Sequence, residues 1–210
     1  MDYEENFNGS RHNVTADLRL GDFNIFSNSS FLNSESTINR STFLRSFNRL
    51  VYGKGSKWAG VKFAIEDNEQ TVIASDSLTP LSQKFRAYEA FIGIGDSTSV
   101  FAEVGYIKRF NDSLRNNTIA RVNSSNTYYL KSRLVQNKVT NLQWFVNYRD
   151  LKAEEETTEI EQSLNSRLNF NQKLFNNLVV WNTSFETNSG TLPQQDFTYV
   201  EVEAGQGAYT

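Results

Sequence analysis

One stretch of this sequence, Leu164 to Thr187, leaves little freedom in how it folds. Asn176-Asn177 sits at its centre, and Asn tolerates the positive φ that a two-residue hairpin turn needs. Folding there sets Phe175 opposite Leu178, then Leu174 opposite Val179, Gln172 opposite Trp181, Phe170 opposite Thr183 and Leu168 opposite Phe185. These pairs share one largely apolar face. The other face carries Lys173, Asn171, Asn169, Arg167 and Asn165 against Val180, Asn182, Ser184 and Glu186. Arg167 faces Glu186, a cross-strand ion pair worth ~0.2–1 kcal/mol. A hairpin of this kind must set its apolar side against a protein core or against lipid.

The same alternation recurs along the chain. Ser10–Leu20 reads as a strand, closed by a turn at Gly21-Asp22, and Phe23–Asn33 as a second whose two faces are poorly separated. From Ile38 to Tyr52, Phe43, Phe47 and Val51 run in phase with Arg45 and Arg49. After a turn at Gly53–Ser56, Lys57–Glu66 puts Ala59, Val61, Phe63 and Ile65 opposite Trp58, Gly60, Lys62 and Ala64. Asp67–Gln83 reads as a long surface excursion. Lys84–Ile94 and Ser99–Phe110 form a hairpin; a loop at Asp96-Ser97 makes Ile92 meet Phe101, Ala90 meet Glu103 and Arg86 meet Ile107. Glu89 is then the one misfit on a face holding Phe85, Phe91, Val104 and Tyr106.

Asn111–Asn117 reads as a polar loop. Val122–Val135 and Val139–Asp150 pair well only if the turn between them is three-residue or bulged, with Leu134 opposite Leu142 and Leu130 opposite Val146. Asp150–Glu161 reads as an acidic loop or short helix, Gly190–Asp196 as a loop, and Phe197–Ala204 as the start of a further strand. The domain reading is a single β-sheet or barrel segment over 1–210, with a flexible end at 1–9 and a loop and new strand over 189–210.

Composition narrows the chemistry. The chain has no cysteine and one histidine, His12, which leaves neither a thiolate metal site nor a Ser-His-Asp set with any choice of base. A net charge of −3 gives no reason to expect nucleic acid. No run approaches the ~20 apolar residues of a membrane helix, so a membrane role requires strands. The acidic opening Met1-Asp2-Tyr3-Glu4-Glu5 lacks the features of a secretory signal. The chain therefore reads either as cytoplasmic or as an internal piece of an exported protein.

The short turns fall near Gly21, Lys54, Asp96, Asn137 and Asn176, 33 to 42 residues apart. In an up-and-down meander they gather on one rim and the longer connections on the other, as in outer-membrane β-barrels. The strands are long and helix signals are nearly absent. The fold expected is therefore all-β, an antiparallel up-and-down meander of about ten long strands forming an outer-membrane β-barrel or part of one. The alternative is a soluble or periplasmic sheet whose apolar face packs on a second layer and whose exposed face or edges bind a protein or glycan partner.

The phrases Asp76-Ser77-Leu78-Thr79-Pro80-Leu81-Ser82-Gln83 through Tyr106-Ile107-Lys108-Arg109, and Tyr199-Val200-Glu201-Val202-Glu203-Ala204-Gly205-Gln206-Gly207-Ala208-Tyr209-Thr210, resemble long cell-envelope proteins of Bacteroidota. The resemblance covers about half of the chain and includes no catalytic motif. It implies an internal segment of an outer-membrane or cell-surface protein, with the lipid bilayer, other envelope proteins or further strands of a longer chain as its partners.

No catalytic, cofactor or metal residues are expected, and the role is structural, transport-related or surface display, without catalysis. Arg167, Asn169, Asn171, Lys173 and Glu186 are candidate lumen-facing residues, as are the recurrent Arg45, Arg49, Arg86, Arg109, Arg133 and Arg149. Ser77 and Ser113 stand in Asp-Ser-Leu triplets that resemble the O-glycan acceptor pattern of that phylum, both in expected exposed loops. Asn13-Val14-Thr15 is a chance match in an Asn-rich chain. Glu154, Glu155, Glu156 and Glu159 lack the Asp/Asn-Gly spacing of a calcium loop. Gly93-Ile94-Gly95 is a hairpin approach, since no helix follows to hold a phosphate.

Overall fold

The computed structural model describes residues 8–96, 100–154 and 160–190. Every regular element among them is a strand: β1 (Asn8–Leu20), β2 (Phe23–Glu35), β3 (Asn39–Lys54), β4 (Lys57–Val72), β5 (Ser77–Leu78), β6 (Gln83–Gly95), β7 (Phe101–Arg115), β8 (Thr118–Gln136), β9 (Thr140–Ala153), β10 (Ile160–Leu174) and β11 (Val179–Gly190). The ten long strands form one antiparallel sheet in chain order, with β5 pairing only onto the end of β4. The sheet is open, and β1 and β11 are its edges. This is the meander that the alternation predicts. A second layer, which a soluble sandwich would need, is not present among the described residues.

The Leu164–Thr187 hairpin adopts the expected register: Leu174 faces Val179, Phe170 faces Thr183 and Arg167 faces Glu186. Asn176 and Asn177 take φ of 55° and 73°, and the Leu178 N–H donates to the Phe175 carbonyl at 3.1 Å. The β8–β9 turn spans three residues, Asn137–Val139, and the Asn137 side-chain oxygen accepts from the N–H groups of Val139 and Thr140. Leu130 faces Val146 as expected. The bulge falls at Leu134, however, so Val135 rather than Leu134 faces Leu142.

Four readings need correction. The β6–β7 connection is longer than two residues, because the pairing starts at Gly95–Phe101; Ile92 therefore faces Val104, Ala90 faces Tyr106 and Arg86 faces Phe110. That three-residue shift moves Glu89 onto the opposite face from Val104 and Tyr106, so it is no misfit. Asp67–Gln83 is not one long loop: β4 continues to Val72, and Ser77–Leu78 folds back against it. Asn111–Asn117 is mostly strand, with β7 running to Arg115 and only Asn116-Asn117 turning at φ of 47° and 65°. The acidic Asp150–Glu161 segment begins as strand too, since β9 reaches Ala153. In the last three cases hydrogen-bonded pairing with a long neighbour satisfies the backbone of a polar segment that composition alone reads as loop.

At the ends, Asn8 and Gly9 belong to β1, and Ser189 and Gly190 to β11, which shortens the proposed terminal regions. The readings of 1–7, 155–159 and 191–210, including the strand at Phe197–Ala204, fall outside the described residues.

Candidate functional site: one apolar and one polar face

The register joins the alternating residues of all ten strands into two continuous faces. Val61 pairs with Leu50 and Ala90, Ala90 with Tyr106, Tyr106 with Tyr128, and Tyr128 with Tyr148. This first face continues through Leu18 and Ile25 at one side and Leu168 and Phe185 at the other. Its large side chains stand open: Val61 is 51% exposed, Ile92 60% and Trp181 58%. An apolar trough of about 970 Å³, open along its length, crosses it from Phe23 to Trp144.

The apolar zone on this face is a belt with an edge. Counted from the strand ends at the tight-turn rim (Lys57, Gly95, Phe101, Gln136 and Thr140), Phe63, Tyr88, Tyr106, Tyr128 and Tyr148 stand five to eight residues in. At ~3.3 Å per residue that is about 17–26 Å along the strands. The rings touch across neighbouring strands, with centroids 5.2 Å apart for Phe63–Tyr88, 5.1 Å for Tyr106–Tyr128 and 6.4 Å for Tyr128–Tyr148. Between the rim residues and this aromatic row, the face carries no Asp, Glu, Lys or Arg. Beyond the row, charge returns at once: Asp67 with Lys84 at 2.6 Å, and Asp112 with Arg86 and Arg121.

Asp112 lies outside the belt and is 7% exposed. Burial works to raise its pKa, but hydrogen bonds from Arg121 and Arg86 outweigh it and hold the carboxyl below its ordinary value. A depressed carboxylate stabilises the fold above its unfolded pKa, and that contribution is lost as pH falls through the folded value. Acid titration of stability is therefore expected to show a loss below the usual carboxylate range that Asp112→Asn flattens. An unchanged profile in that variant would remove Asp112 from the account.

The second face is polar and filled in a specific way. Where a strand interior has Gly60, Gly93 or Gly105, an aromatic ring from the next strand lies over the backbone: Phe91 over Gly60, Trp58 over Gly93 and Tyr129 over Gly105. A Cβ at any of the three would collide with that ring, which is why glycine is needed inside these strands. Among the described residues, Phe91 and Tyr129 are the buried hydrophobic ones, at 4% and 6% exposure. The rings also carry polar tips across an intervening strand. Trp58 Nε1 donates to Glu103 Oε2 at 2.9 Å, and Tyr129 Oη donates to Glu89 Oε1 at 2.6 Å. Lys62 pairs with Glu89 at 2.7 Å and Lys131 with Glu103 at 3.9 Å, so each carboxylate has a cationic partner within the network.

Arg167, Asn169, Asn171, Lys173 and Glu186 share this polar face. Arg167 Nη2 meets Glu186 Oε1 at 3.0 Å, Ser184 donates to Asn169 at 2.9 Å, and Asn171 donates to Asn182. Arg45, Arg49, Arg109, Arg133 and Arg149 lie on the same side, whereas Arg86 lies on the other, beyond the belt. Ser113 is in β7 and half-buried, not in a loop; Ser77 is in β5, its hydroxyl 2.6 Å from that of Ser75. No group of acidic or histidine side chains able to hold a metal occurs among the described residues. The glycine-aromatic contacts and the tyrosine row escaped the sequence reading. Isolated glycines at 60, 93 and 105 in alternating strands were their available signal.

The sequence matches no family model and no curated protein. Among solved structures, it is similar to the β domain of the Bordetella autotransporter Brka, with a TM-score of 0.36 and 10% identity over 89% of this chain and 85% of that one.

Proposed function

We propose that these ten strands form the wall of a bacterial outer-membrane β-barrel, with the apolar belt toward lipid and the polar face toward the lumen. One observation carries the reading: within the belt, every Asp, Glu, Lys and Arg side chain lies on one face of the sheet. Lys62, Glu89, Glu103, Lys131, Arg167 and Glu186 are all on that side. A soluble single-layer sheet with water on both sides has no reason to sort its charges so. A lipid-facing wall must, because a charge facing the hydrocarbon costs ~2–4 kcal/mol at mid-depth. With strands tilted ~35–45°, the belt spans about 12–21 Å of depth, shorter than the ~25 Å apolar band of such barrels, and its aromatic edge matches their interfacial girdle.

On this reading the chain is non-catalytic. Its role is structural, in transport or in surface display at the outer membrane or cell surface, and its partners are the bilayer and other envelope proteins. The stretches that resemble envelope proteins of Bacteroidota suggest the same placement. The first test is solvent dependence. Purified chain is expected to reach a β-rich, protease-resistant state only with detergent or lipid. A monomer that melts cooperatively in plain buffer would overturn the proposal in favour of a soluble sheet that binds a protein or glycan.

A further inference from the structure

We infer that β1 and β11 pair with each other, so that these ten strands close a barrel by themselves; the inference rests on the lipid-facing wall reading. The first ground is direction. Ten antiparallel strands in chain order leave β1 running toward the tight-turn rim and β11 away from it, as an antiparallel seam requires. The second is height. Leu18 on β1 and Trp181 on β11 lie in the same belt on the same face, so the seam leaves the apolar belt unbroken.

The third ground is stagger. A pairing row that starts at the rim, at Leu20, passes Phe23, Ala59, Val104 and Val146 and reaches β11 at Thr187, eight residues from the rim end Val179. The row climbs in one direction only, at the β2–β3, β4–β6, β7–β8 and β9–β10 pairings, whose connections lie on the rim opposite Gly21 and Asn176. Eight residues are about 26 Å of offset across nine steps of ~4.8 Å, a strand tilt of about 31°. Adding at the seam the mean climb of those pairings, about two residues, brings the tilt to ~35°, within the range that closed barrels use. An open sheet needs no such stagger, whereas a closed one cannot form without it.

That climb also fixes the seam register. Thr187 falls opposite Ser10, Ser184 opposite Asn13, and Glu186 opposite Arg11. The register keeps apolar residues on the apolar face and sets an arginine against the glutamate already paired with Arg167. A seam shifted by two residues places Asn13 or Gly9 there and forfeits the charge match.

The chain has no cysteine, so introduced pairs report without background. Asn13→Cys with Ser184→Cys, in the 210-residue chain folded into outer-membrane-lipid vesicles and oxidised with copper phenanthroline, is expected to form an intramolecular disulfide. Gly9→Cys with Ser184→Cys, out of register, is expected to stay reduced. Spin labels at 13 and 184 provide a second readout that needs no bond, and are expected to lie within about 15 Å. Disulfide-linked dimers, which indicate a second copy at the edge, overturn the inference. So do free thiols with a long label distance, which indicate that other strands occupy the edges. Vesicle flotation in the same samples separates the two levels: chains that float without crosslinking refute closure alone, and chains that do not float refute the lipid-facing wall as well.

Discussion

Ile92→Arg is expected to cost about 2–4 kcal/mol of folding free energy in lipid vesicles, read by urea titration, whereas Ser184→Arg costs less than about 1 kcal/mol. Both residues are in strands, and both lie within the belt's height. They differ in face: Ile92 pairs with Val104 on the apolar side, and Ser184 pairs with Asn169 on the polar side. The comparison is sharp because Ile92 is 60% exposed in the chain alone. If water met that face, an arginine there would change stability by no more than ~0.5 kcal/mol, as at ordinary surface positions. A large cost at Ile92 and a small one at Ser184 is therefore a statement about solvent, not about packing. Equal costs would contradict the assignment of faces.

Tyr129→Ala is expected to destabilise by about 3–5 kcal/mol, the usual cost of removing a buried ring. It removes the ring that covers Gly105 and the hydroxyl that donates to Glu89. Gly105→Ala alone is expected to cost about 1–3 kcal/mol, since the atoms nearest its new Cβ all belong to Tyr129. The two losses share one contact and so should not add. The double variant is expected to fall short of the sum by at least ~1 kcal/mol, because without the ring the alanine methyl meets no clash. Additive losses would mean that the ring and the glycine are not coupled, and that the polar face is held by its ion pairs instead. Tyr129→Phe keeps the ring and loses only the hydroxyl, with an expected cost of about 1–3 kcal/mol.

The strands were legible in the sequence because alternation is a local property. The β10–β11 hairpin could be read to the residue, since Asn176-Asn177 fixes both the turn and, through it, every pair beyond. Register failed at β6–β7, where two residues read as the loop left the hairpin three residues out of step. Nothing in Gly95–Thr98 states a loop length, and a clear alternation on both strands hid the error. Strand ends failed for a different reason. Asn111–Arg115 and Asp67–Val72 are polar, and only a long neighbouring strand keeps them extended. The candidate site depends on rows that cross five strands. Tyr88, Tyr106, Tyr128 and Tyr148 are 18 to 22 residues apart in sequence, and each looks like an ordinary strand tyrosine until every register is known.

The chain's three tryptophans divide between the faces: Trp144 and Trp181 lie on the apolar face, and Trp58 lies over Gly93 on the polar one. Single-tryptophan variants, with the other two changed to Phe, can be folded into vesicles whose acyl chains carry bromine, a contact quencher of tryptophan fluorescence. The account predicts strong quenching of Trp144 and Trp181 and little of Trp58. Strong quenching of Trp58 with the other two spared, or no quenching of any, would contradict it.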